Sequence, residues 1–261
     1  MGLDIYAGTL TRYYSHNWKN KVQQIAEANG QKCVMTDGLG NEIKPVEDKA
    51  EIMEIRDIIC QWTENLATGL EQIGEPMPHP LWDEINERDY FTDKPDWEAF
   101  GALLMFLACH IQNYPLPEYV ENRWCAFDDP IVKKGKSKAT DVSLLSDVTL
   151  WLPIPNESIF VTNLPNGDEA HVSTLLLLKH ELEELNSQTW KADESTILSW
   201  RDDKYYIPVK RKEPKPLFGF LLRKKQCDKY RTEELAQCAF SILYQAVNFA
   251  IEHKIPLLLD Y

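Results

Sequence analysis

Between residues 48 and 73 the apolar side chains Ile52, Ile55, Ile59, Trp62, Leu66, Leu70 and Ile73 recur at steps of three and four. That spacing predicts one buried stripe of an amphipathic helix, stopped by the prolines of 75–80. A second helix is predicted over 96–113, with Asp93 and Pro95 as start signals. Its stretch 99–109 (AFGALLMFLAC) has no polar face, which places it centrally. A third is read over 169–187, with Leu175, Leu178, Leu182 and Leu185 as its stripe and Asp168 as N-cap. The fourth starts at Thr232, with Glu233 and Glu234 complementing the dipole, and runs to about 253. On it Glu234, Gln237, Ser241, Gln245, Asn248 and Glu252 form one narrow polar edge, the wet side of a mostly buried helix.

Shorter signals fill the gaps. A short helix over 20–28 ends at Asn29-Gly30, and 33–44 reads as a hairpin or loop through Asp37-Gly38 and Gly40-Asn41. Strands are expected at 3–10, 147–154, 158–163, 205–209, 217–222 and 255–261, the first and last sharing a sheet. The strands do not alternate regularly with helices, so the fold class is α+β: four main helices packed with a small mixed or antiparallel sheet. One compact domain over 1–261 is expected, with an exposed lysine-rich loop at 131–140; the alternative is a split into 1–130 and 141–261.

The 44% hydrophobic content and 26% charged content are globular proportions, which exclude a disordered or collagen-like chain. None of the six cysteines has C-x-x-C spacing, and Cys60, Cys109, Cys125 and Cys238 sit in or beside apolar runs, as buried reduced thiols do. No signal peptide is legible, and Tyr6 stands where a myristoylation motif needs Ser or Thr. The longest uncharged run, 235–251, is polar-interrupted and too short to span a bilayer. The chain therefore reads as cytoplasmic, without disulfides or membrane contact, and its general look is bacterial.

Charge changes the picture most. The formal net charge is −13, yet residues 204–231 carry ten basic side chains against Glu213 and Asp228, a local +8. Taking +8 from −13 leaves −21 on the remainder. Such a body repels phosphates at long range, so bulk nucleic-acid binding is not expected. It suits a basic protein partner, whose encounter it would steer. The basic hairpin, with Lys210, Arg211, Lys212, Lys215, Arg223, Lys224 and Lys225, suits a phosphate, a nucleic acid or the acidic body of a second copy.

Catalytic motifs are absent: no P-loop, dinucleotide fingerprint, nucleophile elbow or H-E-x-x-H, and nothing calls for a metal or cofactor. His180-Glu181-Leu182-Glu183-Glu184 lacks the second histidine of a zinc helix, and the leucine stripe turns His180 and Glu184 outward. His171 reads as a capping or core residue of that helix. Two clusters remain as candidate binding residues. Arg12, Tyr13, Tyr14, His16 and Trp18 follow the first strand, with His16 the one general base near neutrality. Arg123, Trp124, Asp128 and Asp129 form the second. The expectation is a non-enzymatic acidic binding protein of immunity or inhibitor type. The alternative is a hydrolase or transferase on a phosphorylated or nucleotide substrate, working through His16 or the Asp128/Asp129 pair.

Overall fold

A computed structural model describes residues 2–36, 39–85, 89–121, 124–201 and 229–260. Its elements run β1 (Asp4–Ala7), α1 (Leu10–Tyr14), α2 (Lys21–Ala28), β2 (Met35–Thr36), β3 (Glu42–Ile43), α3 (Lys49–Gln72) and β4 (Phe91–Asp93). Then come α4 (Asp96–Gln112), β5 (Tyr119–Glu121), α5 (Pro130–Lys138), β6 (Leu150–Leu152), β7 (Ile159–Asn163) and β8 (Glu169–Thr174). The last are α6 (Leu175–Gln188), α7 (Glu194–Ser199), β9 (Lys229–Arg231), α8 (Thr232–His253) and β10 (Leu257–Asp260). With 49% helix and 16% strand among the described residues and a mixed sheet, the fold is α+β.

The described chain falls into two compact units, each assembled from separated segments. The first takes residues 1–94, 140–191 and 242–261. It holds a six-stranded sheet of order β4-β1-β10-β6-β8-β7, antiparallel except where β6 runs parallel to β8. The expected pairing of the terminal strands is present, with Asp4 opposite Asp260 and Tyr6 opposite Leu258. Side chains alternate across each strand. Tyr6, Leu258, Leu150 and Val172 accordingly share one core with Ile59, Ala67 and Leu70 of α3. Trp151 belongs to the other face, where its indole donates to Ser143 Oγ at 3.0 Å beneath α6.

The second unit takes residues 95–139 and 192–241. Here α4 is buried along most of its length, as its all-apolar sequence requires. Gly135 lets α5 lie against α4, since a Cβ there would stand 2.6 Å from Ala108 Cβ. β5 and β9 form a small antiparallel ladder. The helix α8 has its first ten residues in this unit and the rest in the first.

Several expectations need correction. Four main helices are too few, because eight α-helices stand among the described residues; α2 is the short helix expected over 20–28, and α1, α5 and α7 are additions. Residues 131–140 are not simply a loop. Asp129 caps α5 through Ile131 N at 2.8 Å, Pro130 opens it, and Val132 and Gly135 are buried. The helix read over 169–187 begins six residues later. Residues 169–174 pair with β7 as a strand, and Thr174, not Asp168, is the N-cap, accepting from Leu177 N at 3.2 Å. His171 consequently lies exposed on β8, with Nδ1 3.0 Å from Ser146 O, and not at a helix start. The strands read at 205–209 and 217–222 lie outside the described residues. Among the described residues no helix is long and apolar enough to cross a membrane, and Cys33, Cys60, Cys109, Cys125 and Cys238 are free thiols.

Candidate functional site

The N-terminal cluster is held by one carboxylate. Glu84, 3% exposed, accepts from Leu10 N at 3.1 Å, Thr11 N at 2.7 Å and Trp82 Nε1 at 2.6 Å. Those amides are orphan donors of the first turn of α1, and a buried carboxylate there meets both hydrogen-bonding need and dipole. Tyr6 is the hub above it, with ring centroids 4.9 Å from Trp18, 5.6 Å from Tyr13 and 5.9 Å from Tyr90. Tyr13 donates to Asp260 Oδ1 at 2.6 Å, and the Arg12 guanidinium lies 5.0 Å from the Tyr90 centroid. Burial pushes the Tyr6 phenol far above its usual range and the Tyr14 phenol up to about 12, with Asp168 adding to the second. The structure thus gathers Arg12, Tyr13, Tyr14 and Trp18 into one aromatic seal over the sheet end.

His16 stands at its rim, exposed, with φ 56° where α1 ends. It borders a cavity of about 610 Å³ that also holds Lys19, Glu27, Lys32 and Glu42. The charges there are paired, Lys19 with Glu27 at 2.7 Å and Lys32 with Glu42 at 4.0 Å. Trp18 Nε1 is buried there without a hydrogen-bond partner.

The other candidates lie in the second unit or outside the description. Trp124 Nε1 donates to Asp129 Oδ2 at 3.3 Å, Asp129 caps α5, and Asp128 pairs with Lys133 at 3.5 Å. The two aspartates serve separate local contacts. Arg123 lies outside the described residues, as do Lys210, Arg211, Lys212, Lys215, Arg223, Lys224 and Lys225 of the basic hairpin. The two described members of the basic segment are already paired, Lys229 with Glu121 and Arg231 with Glu234. Among the described residues no group of three or more His, Cys, Asp or Glu side chains is placed to hold a metal ion.

Two features went unseen in the sequence. Glu181 is nearly buried on α6, accepting from Ser143 N at 2.5 Å and Ser143 Oγ at 2.7 Å, and burial pushes its carboxyl up to about 7. It borders a polar cavity of about 580 Å³ with His180, Glu157, Asp141 and Glu184. The Glu157 carboxylate, 3.1 Å from His180 Nδ1, raises the pKa of that imidazole. The available signal was position: Glu181 follows Leu178 by three and borders the leucine stripe. The second feature is on α3, where Glu54, Asp57, Glu64 and Glu71 are all exposed. At 100° per residue they fall on one side of the helix with Gln61 and Thr68 between them, uninterrupted by Lys or Arg. Compared with known proteins, the chain matches no family model, no curated protein and no solved structure.

Proposed function

We propose that the protein is a non-enzymatic acidic binding protein, of immunity or inhibitor type, whose partner is a basic protein. The observation that supports this reading is the acid stripe of α3, four carboxylates on one side of a 24-residue helix. A single-sign stripe on a rigid element raises the encounter rate with an oppositely charged patch and disfavours wrong partners. Among the described carboxylates, Glu84 and Glu181 accept backbone N–H groups and Asp129 caps a helix.

The test is affinity capture from the native host with the wild-type chain and a Glu54→Lys, Asp57→Lys, Glu64→Lys, Glu71→Lys variant. Circular dichroism checks that α3 survives. The expected result is a basic protein retained at one-to-one stoichiometry, released by raised salt and lost from the variant. A wild-type chain that retains no stoichiometric partner, or a partner held equally by the variant, overturns the reading.

A further inference from the structure

Among the described residues β7 is the last strand of the sheet and pairs only with β8. The hairpin that joins them fixes which of its backbone groups are spent. Leu164 N donates to Asp168 O at 2.7 Å, so 164 and 168 form a hydrogen-bonded pair, with Gly167 at φ 91° completing the turn. Bonded and non-bonded pairs alternate along an antiparallel ladder. From the register, Thr162 with Ala170 and Phe160 with Val172 are bonded pairs, whereas Ile159, Val161 and Asn163 aim their N–H and C=O groups away from the sheet. The outward carbonyl of Asn163 is met by Trp62 Nε1 at 2.6 Å, in keeping with that assignment, so the open positions of the edge are Ile159 and Val161.

Beyond this edge lies a groove of about 450 Å³ whose wall is α3, through Trp62, Leu66, Gly69 and Ile73. Its apolar surface is open to solvent, with Ile73 76% and Val161 53% exposed. Gly69 is the informative residue. A glycine inside an exposed helix costs about 0.5–1 kcal/mol relative to alanine. Nothing lies within 4 Å of a Cβ built on Gly69, so no packing neighbour demands a glycine there. Its effect is to keep the groove deep. The opposite edge of the sheet, β4, is closed by contrast, with Thr92 and Asp93 buried and Phe91 against Phe249 at 5.9 Å. Sheet edges usually carry a lysine, a proline or a cover, and Val161 at the centre of β7 is none of these.

Charge selects the occupant. Among the described residues the groove lining contains no Lys or Arg. Glu75 marks one end, its carboxylate 3.5 Å from Asn156 Nδ2 just before β7. Glu169, opposite Asn163 in register, and the exposed Asp168 mark the other. We infer that the free edge of β7 docks an extended segment of a basic partner protein, adding a strand whose apolar side chains lie on Trp62, Leu66 and Ile73 and whose cationic ends meet Glu75 and Asp168/Glu169. Main-chain pairing supplies affinity in such strand addition and the alternate side-chain positions supply specificity. The inference rests on the basic-partner reading above and gives it a second contact surface.

The probe is a fluorescein-labelled peptide of alternating valine and threonine with lysine at both ends, followed by anisotropy against the full chain. The expected result is saturable binding, weakened at least about tenfold by methylating the peptide nitrogens of one edge or by replacing its lysines with glutamate. Val161→Pro removes an outward N–H that the ladder does not use, and Gly69→Leu fills the groove; each should weaken binding to the same degree. Gly69→Ala, which fits the open space, should leave binding intact while raising the melting temperature, a control against simple misfolding. Binding that never saturates, or that ignores both N-methylation and Gly69→Leu, overturns the inference. If peptide binding follows the edge variants while partner capture ignores the α3 reversal, the acid-stripe reading fails and the edge site stands. If capture depends on α3 but neither capture nor peptide responds to Gly69→Leu, the edge site alone fails.

Discussion

The carboxylate of Glu84 accepts the backbone N–H of Thr11 at 2.7 Å across 73 positions of sequence, tying the first helix to the segment after α3. Because Leu10 N and Trp82 Nε1 donate to the same group, removing it strands three buried donors. Each unsatisfied donor costs about 1–3 kcal/mol. Glu84→Ala is expected to destabilise the first unit by about 3 kcal/mol or more, and Glu84→Gln by about half that, read from urea midpoints at constant m-value.

Glu181 makes stability depend on pH. Its folded-state pKa, about 7, lies above its ordinary value of 4.5 because it is buried. As pH rises from about 4.5 to about 7 the unfolded chain releases this proton first, so stability falls across that window and levels off above it. Each pKa unit corresponds to about 1.4 kcal/mol, so the total is on the order of 3 kcal/mol. Thermal melts at pH 4.5, 6 and 8 should show this slope, and Glu181→Gln should flatten it. A Glu181→Gln variant with an unchanged slope would place the titration elsewhere.

Gly135 tests the docking of α5 on α4. A side chain there collides with Ala108, whose Cβ would lie only 2.6 Å away. Gly135→Val is expected to cost about 1–3 kcal/mol through overpacking, compounded by forced displacement of α5. Hydrogen exchange should show lost protection at residues 130–138 while β1 and β10 stay protected.

The thiols should separate by exposure. Cys33 and Cys125 are exposed, whereas Cys109 and Cys238 are buried, and burial also raises the pKa of Cys60 and Cys109. Because the thiolate is the reactive form, iodoacetamide should label Cys33 and Cys125 first among the described thiols. Mass mapping should find Cys109 and Cys238 modified only under denaturant.

What the sequence showed and what it hid divide on physical grounds. The stripe of α3, the apolar α4 and the two terminal strands themselves are legible because each expresses a local period or a clear apolar run. Residues 169–174 are read as helix because Asp168 and Thr174 are both N-cap residue types ahead of the leucine run, and only the pairing of 169–174 with β7 decides for Thr174. α5 was hidden by its lysines, since its burial depends on two small contacts, Val132 and Gly135. Arg12, Tyr13, Tyr14, His16 and Trp18 were recognisable as a cluster, yet Glu84, which holds it, lies 73 positions from Thr11 and carries no local signature. The free edge of β7 is a property of strand order, which no window of sequence contains.

Strand order also sets a schedule. β10 ends at Asp260 and lies between β1 and β6, so β1 lacks one neighbour until that segment is available. Until then Tyr6 and Leu150 have no Leu258 to pack against, and the N-terminal half of the chain waits with an open sheet. Contacts this distant in sequence slow folding and lengthen the exposure of apolar strands. The central position of the sheet is therefore filled by the strand most distant in sequence from β1, and the first unit completes its sheet only once β10 has joined β1 and β6.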